Sequence, residues 1–376
     1  MKIEELYFDG DLWQSHGENQ VQASQATLVL VFGDRDAIEN PERFEYLEKR
    51  YPHAHIVGAS TAGSIQNGSL SKHPLVATVV ALEKGSVEVV KVENLNNDNL
   101  QEKSSQLINK LPQEGLLHAF ILMGGIGLNG SLLAKGVNGV EKNLCVTGGL
   151  AGDGEAFNRT VVMCDGQAQE QQALAIGFYG ESLHVSVGCE TGWEEFGAER
   201  VVTKSDGNVV YEIDNKPALT LYEAYLGDFI KDLPTSGLRF PLNIRERQSD
   251  KEVVRVIMAI NEDKSLLFAG DVPEGSIVRL MKTNVNNLVD GAQMVSKLIR
   301  QRNDKTALAL SVSCSGRRSV LKELVDEELE VMQDVLGEQV HVSGFYSYGE
   351  LAPFSDNLYD CKLHNQTMTL TVIYED

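Results

Sequence analysis

Three segments of the chain end an apolar strand in the same way, with a G-x-x-x-x-G pair: Gly58 and Gly63, Gly149 and Gly154, Gly344 and Gly349. The runs that carry them are HIVGAS, LCVTGG and VHVSGF. The same order precedes each. TLVLVFGD at 27–34 reads as a buried strand, Asn40-Pro41-Glu42 as a helix start, and Phe44, Leu47 and Tyr51 as its apolar face. AFILMGG at 119–125 is the second such strand, Asn129 the next cap, and Leu132, Leu133 and Val137 the next face. TALALSVSCSG at 306–316 opens the third. Its helix places Leu321, Leu324, Val325, Leu329, Met332 and Leu336 at three-and-four spacing, with Gly337 as its stop. A strand that leads through a helix into a second strand predicts parallel pairing and an α/β fold.

Recurrence of a unit this long signals internal duplication. Strands near 75–93 and a helix near 98–110 precede the second unit, and strands near 252–281 and a helix near 286–301 precede the third. The pattern predicts two related α/β halves with mixed sheets, divided as 1–215 and 216–376.

GGIGLNG at 124–130 contains G-x-G-x-x-G at Gly125, Gly127 and Gly130. A dinucleotide site also needs an acidic residue ending the next strand, to hold the ribose. That strand ends in Val146-Thr147-Gly148-Gly149, and Asp153 lies beyond it. The glycines are therefore read as a tight strand-to-helix turn. A net charge of −21 argues against nucleic acid and anionic lipid as partners, while leaving small ligands and basic protein surfaces open. The N-terminus MKIEELYFDG lacks a signal-peptide run, and no stretch is apolar enough to span a bilayer, so a cytoplasmic protein is expected. The five cysteines include no C-x-x-C pair, and nothing points to a zinc site built on one.

VGASTAGSI (57–65), GGLAGDGEAFNRT (148–160), TGWEEFG (191–197), YEIDNKPALTLYEAYLG (211–227), SVSCSGRR (311–318), GFYSYGELAP (344–353) and LHNQT (363–367) together resemble the FIST sensory family. In that family a FIST N domain precedes a FIST C domain. The resemblance implies a bacterial signal-input protein that binds a small ligand, amino acids having been suggested. One freestanding branch implies haem as cofactor, nitric oxide as signal, and a histidine kinase or cyclic-di-GMP enzyme as partner.

A haem sensor needs an axial ligand in an apolar pocket. Of eight histidines, His364 in LHNQT is the first candidate, with Cys189 and Cys314 as thiolate alternatives. Asn365 and Thr367 are read as bonding to neighbouring loops, and His53 and His55 as two rings on one strand face. Phe345, Tyr346, Tyr348 and Phe354 are read as an aromatic wall, and Arg317 and Arg318 as a grip for a carboxylate or propionate. Strand alternation separates Phe345 from Tyr346 and Tyr348. The expected ligand pocket is lined by Gly58, Ser60, Thr61, Gly149, Asp153, Gly344 and Gly349, with Asn158 and Arg159 beside it. The chain has no G-x-S-x-G elbow and no H-E-x-x-H. A non-enzymatic sensor is therefore expected. A metal-free amino-acid sensor and an acyl-transfer enzyme using Cys314 or the glycine loop at 124–130 are the alternatives, and a homo-oligomer is open.

Overall fold

The computed structural model describes residues 1–17, 21–140, 143–233, 235–246, 251–299 and 304–376. The α/β class, the mixed sheets and the repeated unit all stand. The unit occurs three times, each copy in its own sheet. A leading strand (Leu28–Gly33, Leu116–Met123 or Ala307–Cys314) crosses over through helix to a parallel following strand (His55–Ser60, Cys145–Leu150 or Val340–Ser347). A returning strand (Leu75–Ala81, Gln172–Tyr179 or Met368–Glu375) lies antiparallel on the other side of the leading strand. Outside it runs an outer strand: Lys2–Phe8, Ser86–Glu93 or Leu183–Glu190.

The three sheets exchange hairpins in a ring. The hairpin after Ser60 pairs with the third following strand, through Ser64–Gln66. The hairpin after Leu150 pairs with the first, through Val162–Cys164. The hairpin after Ser347 pairs with the second, through Glu350–Phe354. Each unit thus completes a neighbour's sheet, and the body has an approximate threefold arrangement that refines the expectation of two halves. Phe32, Val57, Phe120, Leu122, Leu310, Val312 and Phe345 from all three sheets share one core cluster on this axis. The Phe32 and Phe345 rings stack at 4.8 Å between centroids. Burying each such side chain contributes roughly 1.5–3 kcal/mol.

The second outer strand leads directly into helix Leu100–Lys110, whereas the third reaches its helix, Val285–Leu298, only after a long insertion. The insertion holds a fourth, eight-stranded sheet that runs between Glu194 and Lys282. It has its own core, built on Val202, Tyr222, Leu242, Phe268 and Leu280. The expected boundary at 215/216 falls inside this sheet, between strands Val209–Ile213 and Lys216–Pro217, which pair with each other. Two expectations are corrected. Leu324 is exposed, because helix Val325–Leu336 begins one residue later. His53 lies in a turn ahead of strand His55–Ser60, so the two rings do not share a strand face. Among the described residues, no helix is long and apolar enough to cross a membrane.

Candidate functional site

The three turns converge on one another. Gly152 N donates to Ser60 O at 2.9 Å and Gly154 N to Thr61 O at 3.1 Å. Ala62 N donates to Tyr346 O, and Tyr346 N to Gly63 O, both at 2.8 Å. Leu150 N donates to Gly349 O at 2.8 Å. The joint is solid. Ser60 Oγ accepts from Val161 N, and Thr61 Oγ1 accepts from Gly63 N. Tyr348 donates to Asp153, which also accepts from Asn158 N and Arg159 N. A Cβ on Gly349 would meet Leu363 at 2.9 Å, and one on Gly149 would meet Val312 at 2.6 Å and Phe345 at 2.9 Å. Gly58 and Gly344 lie under backbone carbonyls of the leading strands, and register sets Gly148 against Ile121 as their counterpart. The residues expected to line a pocket therefore build the joint between three sheets.

The G-x-G-x-x-G turn is occupied in the same sense. Gly125 N and Ile126 N both donate to Thr160 Oγ1, and Asn129 caps helix Gly130–Asn138 by accepting from Ser131 N. Those amides are not left for a phosphate.

Arg317 is fully buried and paired with Glu328 at 2.8 Å, so it is not free to grip a ligand. Tyr346 donates to the same carboxylate at 2.6 Å, and Phe345 sits in the axial core, as strand alternation requires. Tyr348 stacks on Phe157 at 4.6 Å, and Arg318 donates to Ala62 O. Cys314 is buried and Cys189 half-buried, and desolvation pushes both thiols up, Cys189 to about 12. His364 is buried, with Nε2 3.1 Å from Ala352 O and the Phe354 ring edge-on at 5.4 Å. Burial pushes its pKa down to about 4. Thr367 donates to Glu350 at 2.9 Å, on a hairpin strand rather than a loop, and neither amide atom of buried Asn365 has a partner among the described residues.

Haem needs an axial ligand facing open volume. His364 spends Nε2 on a carbonyl and faces packed side chains, and among the described residues no three His, Cys, Asp or Glu group around a metal position. These residues do not fit the group.

Open volume lies one layer away. A cleft of about 310 Å³ separates helix Gly130–Asn138 and hairpin strands Glu350–Phe354 and Asn357–His364 from the fourth sheet. Its apolar wall includes Ala134, Ile244, Val253, Pro273, Phe354 and Leu363. Its charged groups are Lys135, Glu246, Lys251, Arg255, Asp271, Asp360 and Lys362. Asp271 closes one end: it receives Lys135 at 2.6 Å and Asn129 Nδ2 at 2.7 Å, and its N–H donates to Ser131 Oγ at 2.9 Å. Asp360 receives Lys251 at 3.3 Å and Lys362 at 3.2 Å. Arg255 is 5% exposed and, among the described residues, bonds only to the carbonyls of Asp271, Val254 and Leu363, at 3.1, 2.9 and 3.0 Å. Burial pushes its pKa down to about 10, against the smaller opposing pull of the Asp271, Glu246 and Glu350 carboxylates. Apart from Phe354, sequence reasoning missed this cleft. The available signal was EVVRV, where strand alternation puts Arg255 on the face of Val253 while Val254 and Val256 are buried.

Glu350 links joint and cleft, pairing with His364 across the hairpin. It is fully buried and accepts from Ser347 Oγ and Thr367. Burial raises its pKa from 4.5 to about 7. A raised carboxyl favours folding fully below the unfolded value, and that contribution is lost as pH climbs through the folded one. Glu350→Gln, which stays neutral, should therefore lose on the order of 3 kcal/mol less stability than the parent between about pH 5 and 8. Parallel pH profiles in urea unfolding would contradict this.

The family model described as the FIST N domain matches residues 27–216, and that described as the FIST C domain matches 218–353. An uncharacterized protein of Methanocaldococcus jannaschii is 24% identical over 413 residues, covering 100% of this chain and 78% of that protein. A solved cyanuric acid hydrolase from A. caulinodans superposes with a TM-score of 0.37 at 7% identity, over 94% of this chain and 91% of that one.

Proposed function

The chain belongs to the FIST family, and from that premise we propose a signal-sensing protein that binds a small polar ligand in the cleft between the threefold body and the fourth sheet. One observation carries the reading. The open volume sits between two units that each have a core, joined where Val254 and Met281 of the fourth sheet pack into that of the body, and a ligand touching both favours one arrangement of the pair over another. Its size is at the lower end of small-molecule sites. Paired charges and an apolar wall suit a polar molecule with an apolar part.

In this reading the protein acts without chemistry of its own and reports occupancy to a separate partner. The family resemblance makes that partner a histidine kinase or cyclic-di-GMP enzyme, in the cytoplasm. A chain of net charge −21 would meet it through a basic surface.

The test is thermal unfolding against a panel of amino acids, small carboxylates and amines. A specific ligand at a hundred times its Kd stabilises the fold by about 2.7 kcal/mol. A silent panel rejects the reading. Protein prepared with haem supplied gives a second arm: a Soret band removed by His364→Ala would favour the haem and nitric oxide version instead.

A further inference from the structure

Resting on that reading, we infer that the cleft recognises an oxyanion, a carboxylate or phosphate on a small apolar body, held by Arg255, and that no amino group is required. The argument is one of unmatched charge. Asp271 and Asp360 are each held by lysines of the cleft, and Glu246, its third carboxylate, is solvent-exposed, so no buried acid of the lining is left to seek an ammonium. Arg255 differs: no Asp or Glu lies within ion-pair distance of it among the described residues, although it is 5% exposed and borders the open volume. Its Nε and Nη1 are spent on neutral carbonyls, and no acceptor among the described residues takes Nη2.

A buried cation among carbonyls lacks its strongest partner. A bound oxyanion supplies it and accepts from the remaining N–H groups of the guanidinium. The chain's overall charge of −21 repels anions, so an anion site here needs a local cation out of solvent's reach. Val253, Phe354 and Leu363 beside it provide apolar surface for the rest of the molecule.

The alternative is that Arg255 only bolts together three carbonyls, two in the fourth sheet unit and one in the hairpin. A series on a common branched apolar body separates the two roles by titration calorimetry of the full chain: isovalerate, isovaleramide, isoamylamine, L-valine and isopentyl phosphate. Isovalerate or isopentyl phosphate is expected to bind, and the tighter of the two names the source. Isovaleramide is expected to bind at least about tenfold more weakly, since charge-assisted bonds are the stronger ones. L-valine, which is isovalerate with an α-amino group, should gain nothing over isovalerate.

Arg255→Lys keeps the charge and removes the fork, and should weaken the anion by about thirtyfold or more. Should that variant not fold, Val253→Glu sets a carboxylate on the same strand face, and should compete the anion away. Equal binding of isovalerate and isovaleramide, or anion binding indifferent to both variants, overturns the oxyanion assignment but leaves the ligand cleft standing. So does binding that needs the amine. No binding by any member of the series overturns the assignment as well, and with a silent wider panel the cleft reading falls too.

Discussion

Arg317→Met is expected to destabilise the protein by about 3–5 kcal/mol, because it strands a carboxylate in the core. Arg317 and Glu328 both have fully buried side chains, and Nη2 and Nε of the arginine approach Glu328 at 2.8 and 3.2 Å. The same carboxylate receives Tyr346 at 2.6 Å and Ser313 at 3.3 Å. The arginine also donates to Leu288 O at 2.9 Å and to Thr191 O. It therefore ties the helix after the third leading strand to both flanks of the inserted fourth sheet. Removing it leaves Glu328 charged and short of its strongest donor. Arg317→Met with Glu328→Leu should recover part of the loss, since an apolar pair of similar volume avoids desolvating two charges. Urea unfolding of the three proteins decides. A single variant within about 1 kcal/mol of the parent would contradict the ion pair's role.

Gly344→Ala should cost more than about 3 kcal/mol, beyond ordinary overpacking, and leave little folded protein. A Cβ there would stand 1.8 Å from Ser311 O, a backbone atom of the neighbouring parallel strand. No rotamer change relieves that contact, so the strands must part. The same approach recurs at Gly58, 1.9 Å from Val31 O, and at Gly148, 2.0 Å from Ile121 O. Gly154→Ala is the control. Its φ is +74°, but nothing lies within 4 Å of the added carbon, and the backbone strain alone costs about 1 kcal/mol. Equal losses at positions 344 and 154 would show that close strand packing is not what these glycines serve.

Much of the body was legible in the sequence because its signals are local. Apolar strands, the Asn129 cap and the recurring glycines each depend on a few adjacent residues, and they mark the right elements. What decides the architecture is not local. The exchanged hairpins pair residues such as Gln66 with Ser343, and no periodicity announces that partner. The glycine pattern drew attention to Gly149, whereas strand register gives the structural role to Gly148, one position away. The insertion hid itself in a similar way. Nothing in the composition marks Glu194 to Lys282 as lying between an outer strand and its helix.

The site was less legible for a related reason. Arg317 and Arg318 drew attention as a pair beside a strand, but the partner of Arg317 lies a full turn into a later helix. Glu328 occupies a core position between Val325 and Met332, and a lone acid on an apolar stripe was the clue to a buried ion pair. Arg255 offered the reverse clue, a lone base on a strand face with no acid in register. Its importance depends on the cleft, which three distant segments of the chain create together.

The most direct test of the account is the thermal shift of parent and Ala134→Leu with isovalerate. Ala134 is 4% exposed on the cleft wall, so a larger side chain there takes up ligand volume without touching the joint of the three turns. The account predicts a dose-dependent rise in the parent and none in a variant that still unfolds cooperatively. An equal rise in both proteins would place the ligand elsewhere and contradict it.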